Sequence, residues 1–451
     1  MNIRKMTVVA MATATTVAVA AAVPQVTNVT MAQASGGRTV TISYTLTDAP
    51  AVVTLEVQTN ANTSAVADDP GWTSIGGEAV CNAQGDVWKR VETGSRTITW
   101  RPDQSWPDHV IANGGARAKV TAWALDNTPD YMVVDISAAA QPNTQKYYPA
   151  VDFLPGAFAG QTGAITNNID YRTTRLVMRK VMAKDVEWTM GSTPQESPRD
   201  AAKEATHTVQ LTNNYYIGVF EVTQTQWSVI DGDFPSYFTT ERALRPIEQV
   251  SYNRIRMANK SNAAASGAPD WPAPPFADSF LGRLNARTGL DFDLPSEAQW
   301  EFACRAGNGD GRWGDGSDML SVANETNLSR LGRYNRNGGY LKPGTWSDPR
   351  ATWGVTNGTA ACGSYLPNSW GIYDMHGNVR EWCLDLGNND ISSLRGATYV
   401  DPGRTNAVCR GGTFMDDRQN CRPAFRASVP RNNTYYTNGN GFRVACTAGL
   451  Q

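Results

Sequence analysis

The chain has 451 residues, with 40 Lys and Arg against 42 Asp and Glu. A net charge near zero gives no electrostatic reason to invoke nucleic acid or an anionic membrane surface as partner, and the length allows two or three domains. Forty glycines, 24 prolines and 14 tryptophans point to a loop-rich, aromatic-studded fold and away from a helical bundle.

At the N-terminus, Arg4 and Lys5 precede an uncharged Ala/Val-rich run over residues 7–23, with Ala18-Val19-Ala20 as an A-x-A cleavage signal and Pro24 after it. This reads as a signal peptide over residues 1–22; the run is short and poor in large side chains for a membrane span. The processed chain is expected to be secreted, periplasmic or on the cell surface, without a membrane span. Its seven cysteines would then sit in an oxidising setting where disulfides persist. Six of them, Cys304, Cys362, Cys383, Cys409, Cys421 and Cys446, fall in the last third, and spacing alone does not choose a pairing.

Residues 23–140 alternate with period 2 in short runs, 40–46, 53–57, 96–100 and 119–123, separated by Gly, Asp, Asn and Pro. That pattern predicts an all-β, immunoglobulin-like sandwich. Cys81 and His109 are isolated there, and no cluster suggests chemistry. Residues 141–172 carry little periodicity and read as a linker. A second domain over 173–451 opens with a strand at 176–181. Thr223 is placed to cap a helix running through Val229. Ser296 caps a second helix, with Trp300, Ala303 and Cys304 on one face. From 307 to 368, Gly, Asn, Asp and Trp dominate, and a loop stretch of that length in a compact domain is functional or pinned by ligands. The densest polar stretch is GIYDMHGNVREWCLD (371–385), whose carboxylates, histidine and thiol follow no helix or strand period.

Eight blocks in order give this domain a resemblance. They are WTMGS (188–192), YIGVFEVT (216–223), LPSEAQWEFACRAG (294–307), WGD (313–315), PNSWGIYDMHGNVREWCLD (367–385), RGGTF (410–414), CRPAFR (421–426) and GFRV (441–444). Over residues 176–446 the chain resembles the formylglycine-generating-enzyme, or sulfatase-modifying-factor, domain family. The resemblance implies a C-type-lectin-like fold: α+β with much irregular structure, long loops and bound calcium. Hard cations take six to eight oxygens from carboxylates and carbonyls. The family motif maps the ligands onto Asp374, the carbonyls of Gly377 and Val379, and Glu381. The reading without a metal has Asp374 and Glu381 capping turns and pairing with Arg380 or Arg395. A second family calcium position would fall near Asn324 and Glu325, where the match is loose.

Formylglycine-generating enzymes of this family oxidise a cysteine of a client sulfatase to formylglycine, using molecular oxygen and copper held by two cysteines. Here Cys421 matches the second cysteine and Asp416 replaces the first. A carboxylate is a hard, poor ligand for Cu(I), so the two-thiolate site is absent and copper-dependent oxidation is not expected. Iron-dependent relatives use three histidines; His109, His207 and His376 form no such set. The resemblance further implies a disulfide between Cys304 and Cys446; Cys383 is left as a candidate partner of Cys421 or Cys409. Residues 431–441, RNNTYYTNGNG, offer Asn and Tyr suited to a binding loop or to a solvated turn. Two function classes follow. One is an oxidoreductase with Cys421 as its remaining reactive group; the other is a calcium-stabilised surface module for a peptide, protein or glycan.

Overall fold

The period-2 runs of the N-terminal third form strands because their β-branched and aromatic side chains can share one buried face. In a computed structural model the described residues are 22–156, 164–257, 273–322, 324–339, 357–387, 405–431 and 438–448. The expected signal segment therefore lies outside the described residues except for its last position, and so does most of the loop 431–441. Among the described residues no helix is long and apolar enough to cross a membrane.

Two antiparallel sheets make up the N-terminal region. Val40–Thr47 lies between Gln25–Gln33 and Gly94–Trp100 in one, and Ala51–Thr59 pairs with Ala116–Trp123, Lys89–Val91 and Thr73–Ser74 in the other. Val40–Thr47 alternates buried and partly exposed residues as its sequence implies. Ala51–Thr59 is buried on both faces because Val53, Leu55 and Val57 enter one core while Val52 enters another.

The central five-stranded sheet of the second domain runs Lys146–Tyr148, Tyr131–Asp135, Arg175–Val181, Tyr215–Gly218 and Ala445–Thr447. Its first two strands come from upstream of residue 172, one from the expected sandwich span and one from the expected linker. The linker expectation gives way to packed structure. Tyr148 stacks on Trp88 at 5.2 Å, Tyr147 N–H donates to the Trp88 carbonyl at 2.8 Å, and Leu154 and Tyr171 are buried. Large aromatics without periodicity leave no pattern in sequence, yet they bury as well as a regular strand does. One apolar core thus runs from Ile42, Leu55 and Trp100 to Val177, Val219 and Phe220.

A second sheet, Ala427–Pro430, Asn406–Arg410, Arg380–Leu386 and Asn440–Gly441, carries the motif segments. Both predicted helices form and both start with a capping box. Thr223 and Gln226 cap Gln224–Asp231, and Ser296 and Gln299 cap Glu297–Arg305. The second helix buries Trp300, Ala303 and Cys304 against Met375 and Cys383.

The cysteine pairings expected from the resemblance do not form: all seven cysteines are free. The thiols are dispersed. Cys304 and Cys383 share the cluster under the helix, Cys409 and Cys446 belong to the main core, and Cys421 lies in a separate cluster with Trp313 and Tyr334. Cys446 sits opposite Tyr216 in the central sheet and packs into the main core, whereas Cys304 sits beside His376 in the cluster under the helix.

Candidate functional site

The polar stretch 371–385 folds as a tight turn leading into the strand Arg380–Leu386. Asp374 (φ 57°), Gly377 (φ 91°) and Asn378 (φ 62°) occupy the left-handed region, which costs non-glycine residues strain that surrounding contacts must offset. The backbone around Arg333 presses against this turn. Asn378 N–H donates to the Arg333 carbonyl at 2.8 Å, and a Cβ on Gly377 would lie 2.1 Å from that same oxygen.

Three carboxylates converge under the turn: Asp374, Glu381 and Glu221, all almost completely buried. Glu221 comes from the block after the strand Tyr215–Gly218, some 150 residues upstream of the motif. It accepts from Asn378 Nδ2 at 2.6 Å, from Val379 N–H at 3.3 Å and from the Cys362 thiol at 3.5 Å. Glu381 accepts from Arg443 through Nε and Nη2, each at 2.6 Å, and from Trp300 Nε1 at 2.7 Å. Asp374 accepts from Gly363 N–H at 2.6 Å through Oδ2, while Oδ1 is buried without a partner.

One guanidinium therefore faces three carboxylates. Arg172, the next cation, spends its guanidinium on the carbonyls of Cys362 and Thr166. Burial pushes Glu221 well above the ordinary carboxylate range, with Asp374 and Glu381 adding repulsion; burial also raises Asp374, to about 6. Arg380 pairs with Asp416, and Arg395 lies outside the described residues.

As a calcium set, the four mapped donors fit in part. Asp374 Oδ1 is open, and Glu381 Oε1 accepts one hydrogen bond and keeps a lone pair, whereas Oε2 is saturated by Trp300 and Arg443. Glu221, which sequence reasoning missed, supplies the third buried carboxylate. Near the loose second position, the side chain of Glu325 is committed to backbone N–H groups, those of Leu320 at 2.7 Å and Asn327 at 3.2 Å.

The segment that would carry copper sits beside this frame. Arg410 anchors it by pairing with Glu297 and Glu301, within a buried network that also joins Arg305 and Arg422 to Glu196 and Arg422 to Glu204. The backbone then turns through Gly411 and Gly412, at φ 91° and 75°. A Cβ on Gly412 would lie 2.9 Å from Cys421 Sγ, so glycine lets the thiol approach.

Asp416 is saturated. Arg380 Nη2 approaches its two oxygens at 2.8 and 3.0 Å, Thr413 N–H donates at 2.8 Å and Asn420 Nδ2 at 3.1 Å. The side chain closes a turn and an ion pair. Cys421 is fully buried against Trp313, Leu328 and Tyr334. Burial first and Asp416 second push its thiol well above the ordinary range, the opposite of what an activated thiolate needs.

His376 is structural here. Its Nε2 accepts from Gly314 N–H at 3.1 Å, so Nδ1 carries the proton and donates to the Cys421 carbonyl at 2.9 Å. Burial holds it neutral, its pKa lowered to about 4. His109 stacks on Trp106 in the sandwich, and His207 caps a strand end through the Ala205 carbonyl. Among the described residues no group of three His, Cys, Asp or Glu side chains is arranged to hold a metal by itself.

Residues 172–448 match the family model described as the Sulfatase-modifying factor enzyme 1-like domain. The chain belongs to this family. Among its relatives, chaperone protein LppX of Paenibacillus barcinonensis is 30% identical over 223 residues, 43% of this chain and 76% of that protein. The formylglycine-generating enzyme of Thermomonospora curvata is 32% identical over 161 residues, 34% of this chain and 48% of the enzyme. That of Streptomyces coelicolor is 31% identical over 167 residues, 35% of this chain and 47% of the enzyme. The chain thus spans about half the length of these two enzymes. The solved Treponema denticola variable protein 1 aligns at TM-score 0.43 and 24% identity, covering 61% of this chain and 96% of that one.

Proposed function

We propose that this protein is an exported, calcium-stabilised member of the sulfatase-modifying-factor family that does not generate formylglycine and works by binding a peptide or protein. The carrying observation is Asp416. The position mapped to the first copper thiolate holds a carboxylate locked to Arg380, Thr413 and Asn420, beside a Cys421 thiol that burial and Asp416 keep protonated. Hard oxygen in place of soft sulfur disfavours Cu(I), and a protonated thiol neither ligates nor attacks. The relative named a chaperone supports a binding role; a glycan is the second ligand class on this reading.

Calcium is supported by the unpartnered Asp374 Oδ1 and by three buried carboxylates facing one guanidinium. Asp374, Glu381 and the carbonyls of Gly377 and Val379 would hold it, with Glu221 contributing charge. Bound there, it would neutralise the turn and fix the frame.

The test is to supply the copper-loaded protein with a Cys-x-Pro-x-Arg peptide and look for formylglycine by mass spectrometry. No product is expected, and Asp416→Cys should produce some. Product from the unaltered protein would establish the alternative, an active oxidoreductase. For calcium, Asp374→Asn should lower the melting temperature in calcium but little in chelator; equal losses in both would count against the site.

A further inference from the structure

A cleft of about 930 Å³ opens where the sandwich meets the central sheet of the family domain, on walls that include neither Asp416 nor Cys421. Its position follows from the recruitment of upstream strands. The Tyr147–Trp88 backbone bond sets Lys146 beside Lys89 on the sandwich strand Lys89–Val91. The far rim is held by Asn143 N–H, which donates to the Thr288 carbonyl at 2.8 Å. Clefts between domains, partly apolar and with a few convergent polar groups, are where small ligands bind.

The lining is bipolar. Lys89 and Lys146 supply ammonium groups, and Asp126 and Asp291 supply carboxylates; Arg90 also lines the cleft, with its Nε paired to Glu92 at 3.2 Å. Lys89 makes one long contact, 3.9 Å to Asp86. Among the described residues Lys146, Asp126 and Asp291 make no ion pair within 4.0 Å, with each other or with anything else. Opposite charges share the cleft without neutralising one another. Leu290, partly buried against the main core, adds apolar surface. Gln145, only 7% exposed, lines the same space. Its Nε2 donates to Tyr147 Oη at 3.2 Å, and its Oε1 is buried without a donor.

We propose that this interdomain cleft binds a short zwitterionic peptide. Its carboxylate lies against Lys89 and Lys146, its ammonium against Asp126 and Asp291, a backbone N–H reaches Gln145 Oε1, and small apolar side chains cover Leu290. The site is independent of position 416 and of the cation frame, so it stands or falls apart from the loss of oxidase chemistry. A simple anion would leave the aspartates and Gln145 Oε1 unserved, and a simple cation would face two lysines and Arg90.

Isothermal titration of the full chain with trialanine, N-acetyl-trialanine and trialanine amide tests it. Trialanine should bind, and each blocked peptide should bind about fivefold more weakly, the value of an exposed ion pair. Lys89→Ala/Lys146→Ala should abolish discrimination against the amide. Asp126→Asn/Asp291→Asn should abolish discrimination against the acetylated form. These residues are partly or fully exposed, so both variants should melt near the parent temperature. No heat with trialanine at millimolar concentration would overturn the assignment. So would equal binding of all three peptides by the parent, or unchanged discrimination in the double variants.

Discussion

Replacing Arg443 with methionine tests the organisation of the buried frame. The guanidinium is completely buried and makes four contacts: two of 2.6 Å to Glu381, and two of 2.9 Å to the carbonyls of Gly218 and Tyr373. Without it Glu381 keeps a single side-chain donor, Trp300, beside Glu221 and Asp374. Breaking one side of a buried ion pair costs ~3–5 kcal/mol, and an orphaned carbonyl adds ~1–3 kcal/mol where the chain cannot relax. A loss of roughly 4–8 kcal/mol is therefore expected, or about 8–32 °C at ~2–4 °C per kcal/mol for a domain of this size. Urea denaturation followed by tryptophan fluorescence and calorimetry measures both. Adding Glu381→Gln to the same chain removes the stranded charge and should recover about 2 kcal/mol, a strong non-additivity. A loss below about 1 kcal/mol for Arg443→Met, or strict additivity in the double variant, would refute the reasoning.

Glu248 is fully buried and accepts from Phe238 N–H at 3.0 Å, and burial pushes its carboxyl up to about 7 from an ordinary 4.5. The folded state thus holds its proton more tightly than the unfolded state. Its contribution is complete below about pH 4.5 and is lost as pH rises through 7, amounting to roughly 3 kcal/mol. Glu248→Gln should flatten that fall in a stability–pH profile; an unchanged slope would exclude Glu248 as its source. The free thiols predict a melting temperature indifferent to reductant. Peptide mapping without reduction that recovered a Cys304–Cys446 or Cys383–Cys421 link would contradict the arrangement.

Much of the architecture is legible where local chemistry decides the outcome. Thr223 and Ser296 mark their helices because a hydroxyl followed by glutamine three residues on satisfies two backbone donors at once. Val40–Thr47 reads from alternation because one face is buried. The turn 374–381 is visible as a motif, but its electrostatics are not. Arg443 and Glu221 join it from 62 and 157–158 residues away, a separation on which spacing is silent. The disulfide expectation fails for a related reason. Cysteine number and compartment speak to opportunity, whereas pairing requires two Cβ atoms within about 4.5 Å, and packing dispersed these thiols among separate clusters. The segment 141–172 was opaque because irregular aromatic packing has no period.

The two strands taken from upstream of residue 172 bear on how this protein can be divided. A fragment cut at the family boundary would strip Tyr131–Asp135 from the flank of Arg175–Val181, whose ladder Arg175↔Asp135 through Arg179↔Tyr131 would then be an open edge. That edge carries Leu176, Val177 and Met178, apolar and β-prone, and such edges seek any partner within reach. The family module and the preceding sandwich are best regarded as one folding unit whose seam runs through a sheet. Swapping the N-terminal region for another would mean re-founding the core of the domain behind it, so the two parts are constrained to change together.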